Sequence, residues 1–244
     1  MKAMIFAAGL GTRLQPLTDS IPKALVPVSN KPMIQHVIER LVRYDCHLIV
    51  VNVHHFADQL IDFLKNNDFG VEIIISDERK KLLDTGGGLL HAARFLNGSE
   101  PFLVHNVDVF STIDLDGMVC QHIETGALAT VAVQERPSNR QLLFDPEGIL
   151  SGWENIRTGE KIIARRSYEE LHPLAFGGIH VINPEIFRYH YPKEVFSIID
   201  FYLRLASRKK IQAYRYIDDL CLDLGKQENI ETARKILDVL SAQQ

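Results

Sequence analysis

Two close glycines, two cations and two carboxylates in this chain are of the types that handle phosphate. Gly9 and Gly11 follow the apolar run AMIFAA, within the stretch FAAGLGTRLQPLTDSIPKAL (residues 6–25). Glycine at a strand end lets backbone N–H groups approach an anion with no Cβ in the way. Taken alone, Gly-x-Gly fits a tight turn as well as a ligand loop. Arg13 and Lys23 change the balance, because they sit on a segment that Pro16, Pro22 and Pro27 stiffen. Two cations on such a segment suit a triphosphate. Two common nucleotide loops are excluded. The dinucleotide fingerprint needs a third glycine where Leu14 stands and an acid where the chain reads NVHHF, and no G-K-[ST] is present for a P-loop.

Asp108 closes PFLVHNVD, and Asp223 closes LCLD shortly before Gly225. Ligands of an open parallel sheet collect at the carboxyl ends of its strands. An acid there can reach Mg²⁺, which prefers oxygen ligands and substrate phosphates. A single aspartate after a strand also serves as a helix N-cap or a turn residue, so neither position is decisive alone. The run TGGGLL (residues 85–90) offers bare backbone at a helix start, where a base or ribose could rest, or a merely flexible helix entry. His54 and His55 are adjacent and would point to opposite faces of a strand, so they are not read as a metal pair. The RKK runs at 79–81 and 208–210 are expected to be solvated.

The elements that must position these groups follow from periodicity. Strands are expected over 3–8, 47–53, 71–76, 101–108 and 128–135, with helices over 30–45, 56–66 and 86–96 between them. In the first helix Ile34, Val37, Ile38, Leu41 and Val42 form one apolar stripe. This β-α-β-α order implies a mostly parallel sheet with right-handed crossovers and helices on both faces. After Glu135 the pattern changes. Two strands within 140–155 meet at the turn sequence DPEG, and strands over 175–182 and 211–217 flank a helix over 194–210. A short apolar segment at 220–225 and a closing helix over 227–244 complete the chain. One domain is expected over 1–244, with a nucleotide-binding half (1–135) and a sugar-phosphate-binding half (136–244).

A chain of 244 residues buries a sizeable core unaided, and its net charge of −4 gives no reason to expect nucleic acid as a partner. Cys46, Cys120 and Cys221 are far apart and odd in number, so each is expected to be a small core residue, and a reducing cytoplasm is the default compartment. No apolar run approaches the roughly 18 residues of a membrane span.

Several motifs together resemble one family. GLGTRLQPLT, PKALVPV, KPMI, LLDTGGGL, NVD and LDLG look like the signature of the sugar-1-phosphate nucleotidyltransferases, or nucleoside-diphosphate-sugar pyrophosphorylases. The pattern is closest to short bacterial members, the N-acetylmuramate-1-phosphate uridylyltransferases and the mannose- or heptose-1-phosphate guanylyltransferases. The resemblance implies a Rossmann-like three-layer α/β nucleotidyltransferase fold with a mostly parallel, mixed central sheet. It implies a nucleoside triphosphate and a sugar 1-phosphate as substrates, Mg²⁺ as cofactor, and a monomer or homodimer with no nucleic-acid or membrane partner.

By the same resemblance, Arg13, Lys23 and Asp108 are catalytic, and Asp108 and Asp223 hold the metal. Ala8, Gly9, Gly11, Thr12 and Arg13 contact the nucleotide's phosphates, and Gly86 and Gly87 its base. Lys23, Asn106, Glu154, Asn155 and Gly178 contact the sugar phosphate. Two departures stand out: Val107 replaces the glycine of N-G-D, and Asp84 replaces the glutamate of E-T-G-G-G. The nucleobase (UTP, GTP or CTP) stays open. So do two rival readings, a cytidylyltransferase for a non-sugar alcohol phosphate such as phosphocholine, and a non-catalytic sugar-nucleotide-binding member. No hexapeptide-repeat tract follows the last helix, so no second activity is expected.

Overall fold

The computed structural model describes residues 1–241. In chain order the elements of the first half are β1 (Lys2–Phe6), β2 (Pro27–Val28), β3 (Lys31–Pro32), α1 (Met33–Arg43), β4 (Leu48–Val53), α2 (Ala57–Asn66), β5 (Glu72–Asp77), α3 (Asp84–His91), α4 (Ala93–Leu96), β6 (Phe102–Asn106), β7 (Val109–Ser111), α5 (Leu115–Thr125) and β8 (Ala129–Gln134). The second half adds β9 (Arg140–Phe144), β10 (Leu150–Asn155), β11 (Glu160–Ile163), β12 (His172–Ile182), α6 (Ile198–Ala206), β13 (Ile211–Arg215), β14 (Cys221–Asp223) and α7 (Gln227–Ser241).

β1 runs through the middle of the sheet. It pairs in parallel with β4 on one side and β6 on the other, and β5 extends the run beyond β4. Parallel neighbours require crossovers, and α1, α2 and the α3–α4 pair supply them. Both faces are covered, which is why these strands are apolar without alternation. The side chains still alternate between two cores. Ala3 and Ile5 of β1 pack with Ile34, Leu41 and Leu60 of α1 and α2. Met4 and Phe6 pack on the opposite face with Leu89, Leu96, Phe201 and Tyr202 of α3, α4 and α6. Helix, sheet and helix make the three layers.

The second half is stitched to the first by β12. Its C-terminal residues pair antiparallel with β6 and β8, and its N-terminal residues pair with β9. The β9–β10–β11 meander extends the sheet on that side, and β13 lies parallel to β8. The sheet is therefore mixed, with an all-parallel run around β1. No helix among the described residues is long and apolar enough to cross a membrane.

Several expectations need correction. α5 was not anticipated: its stripe contains buried His122 among Leu115 and Met118, and its start is set by Asp114, whose carboxylate accepts from Gly117 N at 3.1 Å. β11 was also missed, because all four of its residues are exposed on the sheet edge and it carries no alternation. The expected strand over 101–108 ends at Asn106, since the chain turns at Val107 and Asp108 before β7. The helix expected over 194–210 begins only at Ile198, capped by Ser197. Cys120 is exposed on α5 rather than buried in a core. The RKK run at 79–81 is exposed as expected, with surface ion pairs from Arg79 to Asp58 and Asp77 and from Lys81 to Glu194. The closing helix runs to Ser241, and residues 242–244 of the expectation lie outside the described residues.

Candidate active site

Sheet register places the site. Phe6 at the end of β1 stands opposite Asn106 at the end of β6, and Val107 N donates to Phe6 O at 3.1 Å. The glycine turn after β1 and the aspartate turn after β6 therefore emerge side by side at the carboxyl edge of the parallel run. Ala7 N is fixed by Asn52 Oδ1 at 2.7 Å. The amides of Ala8, Gly9, Leu10 and Gly11 then find no acceptor among the described residues. Free consecutive amides form an anion-binding concavity. Gly11 has φ 69°, and a Cβ there would lie 2.8 Å from Thr18 Cγ2 and 3.1 Å from Lys23 Cβ. Glycine thus lets the turn close down onto Lys23, and Thr18 Oγ1 holds it by donating to Gly11 O at 2.8 Å.

The two carboxylates come from distant parts of the chain. β14 pairs antiparallel with β7, setting Asp223 opposite Val109, and Leu224 N donates to Asp108 O at 2.7 Å. This short ribbon brings Asp223 up to Asp108. Arg13 bridges the pair: its Nη1 lies 2.8 Å from Asp223 Oδ2 and its Nη2 lies 3.7 Å from Asp108 Oδ2. Lys23 Nζ is ion-paired with the same oxygen of Asp108. Arg13, Lys23, Asp108 and Asp223, separated by up to 210 residues, form one charged cluster. Gly225 leaves room for it, since a Cβ there would run into the Arg13 guanidinium and lie 2.8 Å from Asp223 Oδ1. Burial pushes the Asp223 carboxyl up, but the hydrogen bond and charge of Arg13 outweigh burial and hold it below the usual carboxylate range. Arg13 is raised in turn, chiefly by its hydrogen bond to Asp223.

Two cavities flank the cluster. The first, about 370 Å³, is lined by Ala8, Gly9, Lys23, Asn106 and Asp108 on one side and by Glu78, Leu82, Asp84 and Thr85 on the other. The second, about 800 Å³, is lined by Arg13, Asn155 and Asp223 with several residues of the second half. Thr12 is exposed beside the turn. Gly178 sits against Asn106 with φ 80°, where a Cβ would lie 2.9 Å from Asn106 Nδ2. Val107 is 3% exposed and belongs to the core on the α1–α2 face, and it also lines the first cavity between Asn106 and Asp108.

Other predicted residues are placed differently. Glu154 lines neither cavity and pairs with Lys161 at 3.4 Å across β10 and β11. Asn155 reaches the second cavity, but its Oδ1 accepts from Arg157 N at 3.1 Å and shapes the turn after β10. The reading of Gly86 and Gly87 as bare backbone for a base does not hold. A Cβ on Gly86 would collide with the Phe196 ring and one on Gly87 with the Glu194 carbonyl, while both amides donate to Phe196 O. These glycines admit residues 194–196, and the cavity is faced by Asp84 and Thr85 instead.

Sequence reasoning missed Asn52 and Glu78. Both are buried, at 3% exposure each. Asn52 Nδ2 donates to Glu78 Oε1 at 2.8 Å, and Glu78 Oε2 accepts from Leu83 N at 3.2 Å. Burial raises the Glu78 carboxyl above its ordinary value. The clasp links the start of the glycine turn to the loop before α3. The available signals were one polar residue inside the apolar LIVVNV and an acid just past the end of a parallel strand.

A Rossmann-like α/β sheet that gathers an amide turn, two cations and two carboxylates at its strand ends defines a nucleotide-handling protein of the phosphoryl-transfer class. The Nucleotidyl transferase family model matches residues 2–144, and the chain belongs to that family. It is a nucleotidyltransferase, as its motifs anticipated. It is 34% identical over 215 residues to an N-acetylmuramate alpha-1-phosphate uridylyltransferase of Caulobacter vibrioides, covering 86% of each chain. It is 31% identical over 190 residues to the mannose-1-phosphate guanylyltransferase catalytic subunit beta of Drosophila melanogaster, covering 76% of this chain and 49% of that one. Against that longer relative, the chain spans about half the length. The crystal structure of HddC from Yersinia pseudotuberculosis has the same fold, with a TM-score of 0.79 at 22% identity over 97% of this chain and 99% of that one.

Proposed function

We propose that the chain transfers a nucleoside monophosphate from a nucleoside triphosphate to a sugar 1-phosphate, with Mg²⁺ as cofactor. One observation carries the reading: Arg13, Lys23, Asp108 and Asp223 meet beside four unbonded amides at the junction of two cavities. The named activities of the relatives support the choice of a sugar 1-phosphate as acceptor.

In the proposed reaction a phosphate oxygen of the sugar 1-phosphate attacks the α-phosphorus. A new P–O bond forms, the bond from the α-phosphorus to the bridging oxygen of the β-phosphate breaks, and pyrophosphate leaves with the electron pair. The attacking group is already an anion near neutral pH, so no general base is needed. The barrier is charge crowding, and preorganised cations and amides lower it. The amides of residues 8–11 and the Arg13 guanidinium receive the β- and γ-phosphates. Lys23, at the wall shared with Asp108, faces the α-phosphate and the attacking phosphate. Among the described residues no cluster of three or more potential ligands forms a ready-made metal cage. Two carboxylates that rely on substrate phosphates to complete the shell are nevertheless the donor set Mg²⁺ commonly accepts, so Asp108 and Asp223 fit it. Bound there, the ion would neutralise developing charge on the phosphate oxygens.

The test is pyrophosphate release with UTP, GTP, CTP and dTTP, each against a panel of sugar 1-phosphates, with Mg²⁺ and with excess EDTA. The proposal expects release with at least one pair and its loss in EDTA. No release with any pair would overturn it.

A further inference from the structure

Burying a carboxylate is costly, and apolar side chains of similar volume would serve packing as well or better. Glu78 is nevertheless buried. It accepts from Asn52 Nδ2 at 2.8 Å and from Leu83 N at 3.2 Å, and it makes no ion pair among the described residues. This chain of bonds has a fixed polarity. Ala7 N can only donate, so the Asn52 amide turns its oxygen there and its nitrogen toward Glu78. Leu83 N can also only donate, so Glu78 must accept at both ends. One amide and one carboxylate close the chain. Two amides or two carboxylates do not.

Both side chains line the first cavity, and their clasp joins its two walls. At one end it fixes Ala7, the residue before the free amides of 8–11. At the other it fixes Leu83, between Leu82 and Asp84 of the opposite wall. α3 packs directly on the clasp: a Cβ on Gly88 would lie 2.7 Å from Glu78 Oε1 and 3.0 Å from Asn52 Nδ2. In the proposed function the amide turn holds the triphosphate, so the nucleoside of the same molecule extends toward the opposite wall. We infer that Asn52 and Glu78 are positioning residues that set the distance between the phosphate-binding turn and the wall facing the nucleoside, so that one nucleotide engages both. This inference rests on the proposed function above. Walls held at that spacing before binding spare the nucleotide an ordering cost. A ligand that reaches only one wall gains nothing from the spacing.

The test is calorimetric binding, in Mg²⁺, of UTP, GTP, CTP and dTTP, which can span both walls, and of pyrophosphate, which reaches only the amide turn. At least one triphosphate is expected to bind the parent, and that one is carried to the variants. Glu78→Gln sets two amide nitrogens face to face, and Asn52→Asp sets two carboxylates face to face. Each should weaken the triphosphate roughly tenfold, the weight of one buried charge-assisted hydrogen bond, and pyrophosphate by less than about threefold. The swap Asn52→Asp/Glu78→Gln restores every bond with the middle one reversed. Its ratio of the two dissociation constants should return to within about threefold of the parent's. Tm is recorded for each variant. Glu78→Asp keeps the charge but shortens the reach; it stands in for a single variant that does not fold, and a similar loss is expected. Single variants that bind the triphosphate as the parent does, or that weaken both ligands equally, would overturn the inference. So would a swap that regains Tm but not the ratio. Failure of every triphosphate to bind the parent would instead remove the proposed function.

Discussion

Lys23 reaches Asp108 from a single helical turn that Pro22 starts, and only 12% of its side chain is exposed. A lysine so enclosed is a fixed point charge, and in the proposed reaction it stands where the phosphates pass. Lys23→Met keeps the length and removes the charge, so kcat for pyrophosphate release should fall on the order of 10²–10³, as for a lost oxyanion donor. Activity within a few-fold of the parent would contradict its assigned role. Arg13, Lys23, Asp108 and Asp223 were legible in the sequence because each sits in a motif whose neighbours constrain it: glycines, prolines, or a strand end. Asn52 and Glu78 were not, because their roles depend on a contact between the ends of β4 and β5 that no single segment displays. Glu154 misled for the opposite reason. Its type suits a sugar hydroxyl, but Lys161 on the next strand takes it.

The glycines of the two loops differ in what surrounds them. Nothing lies within 4 Å of a Cβ built on Gly9, whereas one on Gly86 meets the ring of Phe196. Gly86→Ala should therefore overpack the contact between α3 and residues 194–196 and cost about 1–3 kcal/mol. At this chain length that is a Tm drop of roughly 2–12 °C. Gly9→Ala should leave Tm unchanged and weaken binding of the triphosphate, seen as a smaller ligand-induced rise in Tm. Equal Tm values for the two variants would refute this division of labour. The parallel run around β1 was readable from apolar stretches and amphipathic helices. α5 and β11 were not, because a buried histidine broke one apolar stripe and full exposure erased the alternation of the other. The β7–β14 ribbon was equally hidden, since two three-residue strands carry too little pattern to reveal their pairing.

Across the whole molecule, burial makes stability depend on pH. His105 and His180 lie on adjacent strands β6 and β12, and burial pushes both down from 6.5 to about 3, with the charge of Arg40 adding to the effect on His105. His122 is pushed down to about 4, again by burial. The unfolded chain takes up these protons below 6.5 and the folded chain does not. The stability they contribute is complete above 6.5 and declines as pH falls toward 3. Urea midpoints between pH 7 and pH 5 should drop with acidity, and a His105→Gln/His180→Gln double variant should flatten the slope. A flat or rising profile for the parent would contradict this.

The site itself depends on the far end of the chain folding back, through β14, onto the turn after β6. The most direct measurement is a double-mutant cycle on pyrophosphate release with Asp108→Asn, Asp223→Asn and the pair combined. If the two carboxylates serve one site, each single variant loses on the order of 10²–10³ in kcat and the double variant loses little more than either. Multiplying losses, or a single variant with parental activity, would contradict a shared site.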